Sequence, residues 1–287
     1  MTLLTLRTGR LAVELAPSAG GSVARFECDG VDILRPMTAE AIASGKGNNA
    51  ALYPLVPYSN RIRDGRLVFG HEVFRLALNW PGIGHPMHGD GWAQAWAVVH
   101  SDATSAEITY LHERVGEQGG WPFRYRARQR YRLDEASLAI AISLENLEDR
   151  RVPAGIGLHP FFVRDPDCAL TCRTTFAWRA DAEVLPVERI PVPPDWDFAA
   201  GRRPDSVALD NCFDGWDGHA TIAWPARRLK LDLDASPPFR HLVVYTPPGQ
   251  SFFCVEPVSH ANGQVGLAAL GPAGTLSGEV VFRLSIL

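Results

Sequence analysis

The chain has no apolar run approaching the roughly 20 residues a membrane-spanning helix needs, no dense cysteine framework and no basic patch. These absences exclude a helical membrane protein and leave no membrane or nucleic acid as an expected partner, in keeping with a net charge of −4 and a pI of about 6.1. The five cysteines (Cys28, Cys168, Cys172, Cys212, Cys254) are odd in number and scattered, which fits reduced thiols in a cytoplasm. Cys168-x3-Cys172 is followed by no second half with ligand spacing and reads as two strand cysteines. Phosphate loop, metal cage and nucleophile elbow are all missing, so neither a metal nor an organic cofactor is expected. The opening, MTLLTLRTGRLAVEL, lacks the continuous apolar core of a secretion signal and reads as a strand. Helical periodicity is scarce too: only Thr38–Ser44 offers two turns, with Thr38 as cap and Gly45 as stop.

What is present is apolar and alternating. Of 287 residues, 46% are hydrophobic, enough for a large core. Leu11, Val13 and Leu15 alternate before Gly20-Gly21; Val23, Phe26 and Cys28 follow before Asp29-Gly30 and Val31–Leu34. Asp-Gly marks a hairpin, since both central positions of a type I′ turn need positive φ. The same pattern at Asp64-Gly65 and Leu133–Leu138 predicts two more hairpins, and Gly278–Ile286 a closing strand. Pro186–Pro204 reads as a long surface excursion within one domain spanning 1–287. The fold class expected is all-β, a large antiparallel sandwich.

Three short blocks carry chemistry: His88-Gly89, His159-Pro160-Phe161-Phe162 and Glu256-Pro257. Each puts a proton-transfer side chain into a strand or turn, and two histidines with a glutamate suit acid–base work near neutral pH. Glu256 is the sharpest anomaly, since a carboxylate in an apolar strand is costly unless paired or functional, and desolvation would raise its pKa toward that of a useful base. A buried ion pair is the competing explanation. His159, within Gly-Ile-Gly-Leu-His-Pro-Phe-Phe, reads on its own as a satisfied core histidine. His85 and His88 lack an obvious third ligand, which favours hydrogen bonding or acid–base work at His88 over metal binding. Asn60-Arg61 offers either a guanidinium fork for substrate hydroxyls or solvated hairpin residues. Asp210, before Phe213, is either a ligand carboxylate or an Asx turn. Trp92 or Trp96 offers a ring face to a sugar, though core burial is the commoner fate of tryptophan.

In order and flanks together, Asn60-Arg61-Ile62, His88-Gly89, His159-Pro160-x-Phe162, Asp210-x-x-Phe213 and Glu256-Pro257 with Ala261-Asn262 resemble the aldose 1-epimerase (galactose mutarotase) family. The resemblance implies a monosaccharide bound in an open cleft on one sheet and interconversion of its α and β anomers without cofactor. It implies Glu256 as the general base on the anomeric hydroxyl, His159 as the general acid on the ring oxygen and His88 as a hydrogen-bonding partner there. Arg61 and Asp210 are implied as substrate ligands, with Asn60, Trp92 and Phe213 expected around the same site. The expected assembly is a monomer or homodimer. Phe161-Phe162 stands where many members have Tyr-Phe, and His260 where an Asp often precedes Ala-x-Asn. Trp92 stands where the hexose 6-phosphate branch often has Arg, leaving Arg63 and Arg66 as the nearby candidates for a phosphate. This places the free sugar ahead of a hexose 6-phosphate. A glycoside hydrolase built on Asp210 and Glu256 leaves both histidines unexplained; a non-catalytic sugar sensor needs no matched acid and base.

Overall fold

The computed structural model describes residues 2–113, 115, 119–264 and 269–287. Its regular structure is almost entirely strand, gathered into an eleven-stranded and an eight-stranded sheet with two two-stranded ribbons. The expected large antiparallel β-sandwich is what forms. The two sheets meet through aromatic side chains: Phe282 of the smaller sheet packs on Phe26 and Phe162 of the larger, at ring-centre distances of 6.5 and 6.2 Å. Among the described residues no helix is long and apolar enough to cross a membrane.

Local predictions were met where the residues dictate the turn. Asp29 and Gly30 both take positive φ (50° and 77°) between Ser22–Cys28 and Val31–Asp32. At Leu133–Leu138 the two strands pair end to end, and the Asp134 carboxylate accepts the Ala136 and Ser137 amides to close the turn. Thr38 caps the helix Ala39–Ala43 by accepting from the Ala41 amide.

Two expectations are corrected. Asp64-Gly65 is no hairpin turn. Both residues do take positive φ (52° and 64°) and turn the chain, with the Arg66 amide donating to the Arg63 carbonyl, but the turn leads into the strand Arg66–Phe69, whose own hairpin with Glu72–Arg75 turns at Gly70-His71. The Gly65 amide serves Ile62 instead, and its carbonyl accepts from Leu76. Nor is Pro186–Pro204 a free excursion throughout. Pro186–Pro191 is the outermost strand of the larger sheet, paired with Phe176–Ala180, at an edge where prolines do no harm because no further strand needs their amides.

Adjacent strands in the middle of the larger sheet are Leu52–Leu55, Gly157–Val163, Phe252–Val258, His241–Tyr245 and Asp210–Asp214. Period-two alternation sorts their side chains onto two faces. Leu52, Leu158, Phe162, Phe253, Val255, Leu242 and Val244 join the core between the sheets. Tyr53, Phe161, Phe252, Cys254, Val243 and Cys212 face the other way and form a second apolar cluster. His159 has the parity of Phe161, and Glu256 that of Cys254, so both histidine and carboxylate belong to this second face.

Candidate active site

Register brings the two predicted acid–base groups together. Tyr53 pairs with His159, Gly157 and Phe161 of the histidine strand pair with Val258 and Cys254, and Val243 pairs with Glu256. His159 and Glu256 are therefore neighbours on adjacent strands, with His159 Nε2 3.2 Å from a Glu256 carboxylate oxygen. They lie on the floor of a cavity of about 280 Å³, a size that suits a single small molecule. Asn60, Arg61, His88 and Asp210 line it as well, with Tyr53, Trp80, Tyr245 and Arg35.

Burial sets the protonation of the pair. Glu256 is 2% exposed, and desolvation, reinforced by the negative charge of Asp210, raises its pKa well above the ordinary carboxylate range. Desolvation lowers His159 to about 3, helped by the nearby Arg35 cation. Both shifts disfavour an isolated charge on either group, so the two hold one proton between them and are neutral as a unit. His159 Nδ1 has no hydrogen-bond partner among the described residues. Its ring stacks between Tyr53 and Phe161, each at 4.6 Å, so packing holds the orientation and leaves Nε2 to chemistry.

His88 is held differently. Its Nδ1 accepts from the Asn60 amide (3.0 Å), and its own amide donates to the Asn60 carbonyl (2.9 Å). Burial pushes its pKa well below the ordinary value, so the ring is neutral. With Nδ1 occupied as an acceptor, the proton sits on Nε2 and His88 presents a fixed donor. The backbone here is strained: Asn60 and His88 both take left-handed φ, 57° and 62°. Asn79 staples the loop by donating to the Met87 and Gly89 carbonyls and accepting from the Met87 amide. Gly89, at φ 68°, is needed for space as well, because a Cβ there would lie 2.0 Å from the Val56 carbonyl oxygen.

Arg61 is buried and reaches Asp210 through Nη2 at 3.4 Å, while the Asn60 side-chain oxygen accepts from its amide and Nη1. Burial raises Asp210 despite this partner. Arg61 and Asp210 together present donors and acceptors at the cavity wall, a mixture suited to hydroxyl groups.

Six of the eight residues singled out from sequence thus converge: Glu256, His159, His88, Asn60, Arg61 and Asp210. Trp92 and Phe213 do not. Each is 1% exposed; Trp92 spends its indole N–H on the Gly89 carbonyl, and Phe213 lies in the core between the sheets. Trp96 is also buried. The cavity tryptophan is Trp80, edge-on to His88 at 5.7 Å and packed on Trp92 at 4.7 Å. Sequence reading passed it over, although the turn-forming Pro81-Gly82 that follows is the signal that could have placed it at a loop rim. Tyr53, Tyr245 and Arg35 were missed as well. Tyr53 and Tyr245 share the parity of the cavity face, whereas nothing in the sequence marks Arg35. Arg63 and Arg66, the cations considered for a phosphate, are outside the cavity lining; Arg63 is paired with Asp181 at 2.8 Å.

Among the described residues, two clusters offer metal-ligand atoms within 4.8 Å of one another. In Cys212, Asp214 and His241 the carboxylate already accepts from Arg189, His241 and Trp178. In His159, Cys254 and Glu256, burial holds the thiol well above its ordinary pKa, which favours the protonated form, the wrong state for a ligand, and Glu256 already meets His159 Nε2 at 3.2 Å. Neither is organised to hold an ion.

Comparison with known proteins gives a consistent result. The family model described as aldose 1-epimerase matches residues 2–269. The chain is 28% identical to the Escherichia coli K12 protein YphB, over 99% of both chains. Among solved structures, a candidate aldose 1-epimerase from Escherichia coli K12 superposes with a TM-score of 0.90 at 28% identity, covering 100% of this chain and 99% of that one. A galactose mutarotase-like protein from Clostridium acetobutylicum shares the fold at 18% identity, with a TM-score of 0.88 over 99% and 95% of the two chains.

Proposed function

Because the chain belongs to the aldose 1-epimerase family, we propose that it is a mutarotase for a free, unphosphorylated aldose. Glu256 is the general base and His159 the general acid. The observation that carries this reading is the 3.2 Å contact between His159 Nε2 and the Glu256 carboxylate in a cavity lined with hydroxyl-binding groups.

A cyclic aldose opens when its anomeric hydroxyl loses a proton and its ring oxygen gains one. Those two oxygens sit on one carbon, so the base and the acid must be close neighbours. The His159–Glu256 pair holds one exchangeable proton in two arrangements, imidazolium with carboxylate or imidazole with carboxylic acid. Ring opening converts the first into the second. Rotation about the bond to the aldehyde carbon presents its other face, and ring closure returns the proton to His159 while giving the other anomer. The starting and final states of the pair are identical, so no cofactor or net proton exchange is required. His88 Nε2–H offers a fixed donor to the developing oxygen charge, and Arg61 with Asp210 orients the hydroxyls. Each proton-transfer group is worth about 100- to 10,000-fold.

The unphosphorylated substrate is supported by the pairing of Arg63 with Asp181, outside the cavity. The buried free cysteines support a reducing, cytoplasmic setting. Polarimetry of freshly dissolved α-D-galactose and α-D-glucose tests the reading. Acceleration toward the same final rotation is expected; sugar binding without acceleration would make the protein a sensor instead.

A further inference from the structure

Arg35 brings into the cavity a charge that the reaction above does not use. Arg61 is compensated by Asp210 at 3.4 Å, and the His159–Glu256 pair is neutral as a unit. Among the described residues no carboxylate pairs with Arg35. Its guanidinium lies 4.2 Å over the Phe161 ring and 4.6 Å over Phe252, and Nη2 donates to the Ala50 carbonyl at 3.1 Å. The rings hold the fork in place without neutralising it, and Asn48 and Asn49 join it in the lining.

Its position selects one end of a sugar. Arg35 lies over Phe161, which stacks directly on His159, and over Phe252, which is further along the strand from Glu256, so Arg35 stands nearer His159 than Glu256. Asp210 stands on the opposite side, two strands beyond Glu256. If His159 serves the ring oxygen, Arg35 faces the carbon bonded to that oxygen, which in a hexopyranose carries the exocyclic group. We propose that the substrate is an aldose with a carboxylate at this exocyclic position, a hexuronate, and that Arg35 is the residue that selects it. A single unpaired guanidinium matches a planar monoanion through its fork of donors, whereas a phosphate dianion calls for more than one cation. The inference rests on the mutarotase reading for the sugar's orientation.

The test compares D-galacturonate, D-galactose and galactose 6-phosphate by rate of anomer exchange, in wild type, Arg35→Gln and Arg35→Lys. The wild type should favour galacturonate over galactose in kcat/KM by about 10- to 100-fold, with the ratio falling as salt is added. Arg35→Gln should collapse the ratio toward one, and Arg35→Lys should keep part of it. A ratio at or below one, or one indifferent to both salt and Arg35→Gln, overturns the proposal while leaving mutarotation standing. A preference for the phosphate overturns the carboxylate assignment. The salt series on wild type decides the matter even if Arg35→Gln fails to fold. If no sugar is turned over, calorimetry with galacturonate decides: binding lost in Arg35→Gln supports the anion site, and absence of binding overturns it.

Discussion

Replacing Glu256 with glutamine should abolish turnover and stabilise the protein at once. Glutamine keeps the shape of a side chain that is 2% exposed, so no cavity opens. What it removes is the ability to take a proton, worth about 100- to 10,000-fold in kcat. It also removes an ionisable group whose charged form is disfavoured first by burial and then by Asp210. The sign follows from linkage. The folded-state pKa of Glu256 is raised above its ordinary 4.5, so the stability it contributes is present below about pH 4.5 and lost as pH rises through the folded value. The advantage of Glu256→Gln should therefore be near zero at pH 4.5 and grow toward neutrality, reaching about 0.5–2 kcal/mol, or a few degrees in Tm. The assays are polarimetric rate and thermal unfolding followed by circular dichroism from pH 4.5 to 8. A variant with wild-type kcat would refute the base assignment. A variant inactive but markedly less stable at neutral pH would refute the view of Glu256 as a strained, functional carboxyl and restore the buried ion pair.

Asp210→Asn removes the like charge that helps raise Glu256, so the acid limb of the kcat profile should move to lower pH; an unmoved limb would uncouple the two carboxyls. Trp80→Ala should raise KM about 3- to 10-fold with little change in kcat, measured by initial rates over a range of sugar concentrations. Trp92→Ala should instead cost about 3–5 kcal/mol of stability, seen as a lowered Tm, because its ring is packed in the apolar cluster. Gly89→Ala should displace the His88 loop, since the added methyl meets the Val56 carbonyl at 2.0 Å; a loss of kcat/KM with a lower Tm is expected, and an unaffected enzyme would show that the loop can yield.

The parts of this protein legible in its sequence are those governed by local rules. Strand alternation fixed which face Glu256 and His159 would share with their neighbours, and a carboxylate among Phe252, Phe253, Cys254 and Val255 stood out because burial makes it costly. Asp29-Gly30 turned the chain because its backbone angles demand those residue types. Failures came where distant contacts decide. Asp64-Gly65 carries the same dipeptide with the same positive φ, but the Gly65 carbonyl is taken by the Leu76 amide and the chain runs on into the strand Arg66–Phe69, so the hairpin closes further along. Trp80 and Trp92 are chemically alike, and only packing puts one at the cavity and the other behind it. Arg35 follows a short edge strand and gains meaning only when Phe161 and Phe252 arrive beneath it. Asp210 was visible as a candidate, yet its influence on Glu256 depends on an alignment of strands that no single segment encodes.

The most direct test of the central claim is two-dimensional exchange NMR on the anomeric protons of galactose and galacturonate at equilibrium, with catalytic amounts of protein. Cross-peaks should link the α and β signals in the presence of wild type and disappear with Glu256→Gln, with no new product resonances. Absence of exchange with every aldose tried, or the appearance of a new product, would contradict the assignment of the His159–Glu256 pair as an anomer-interconverting device.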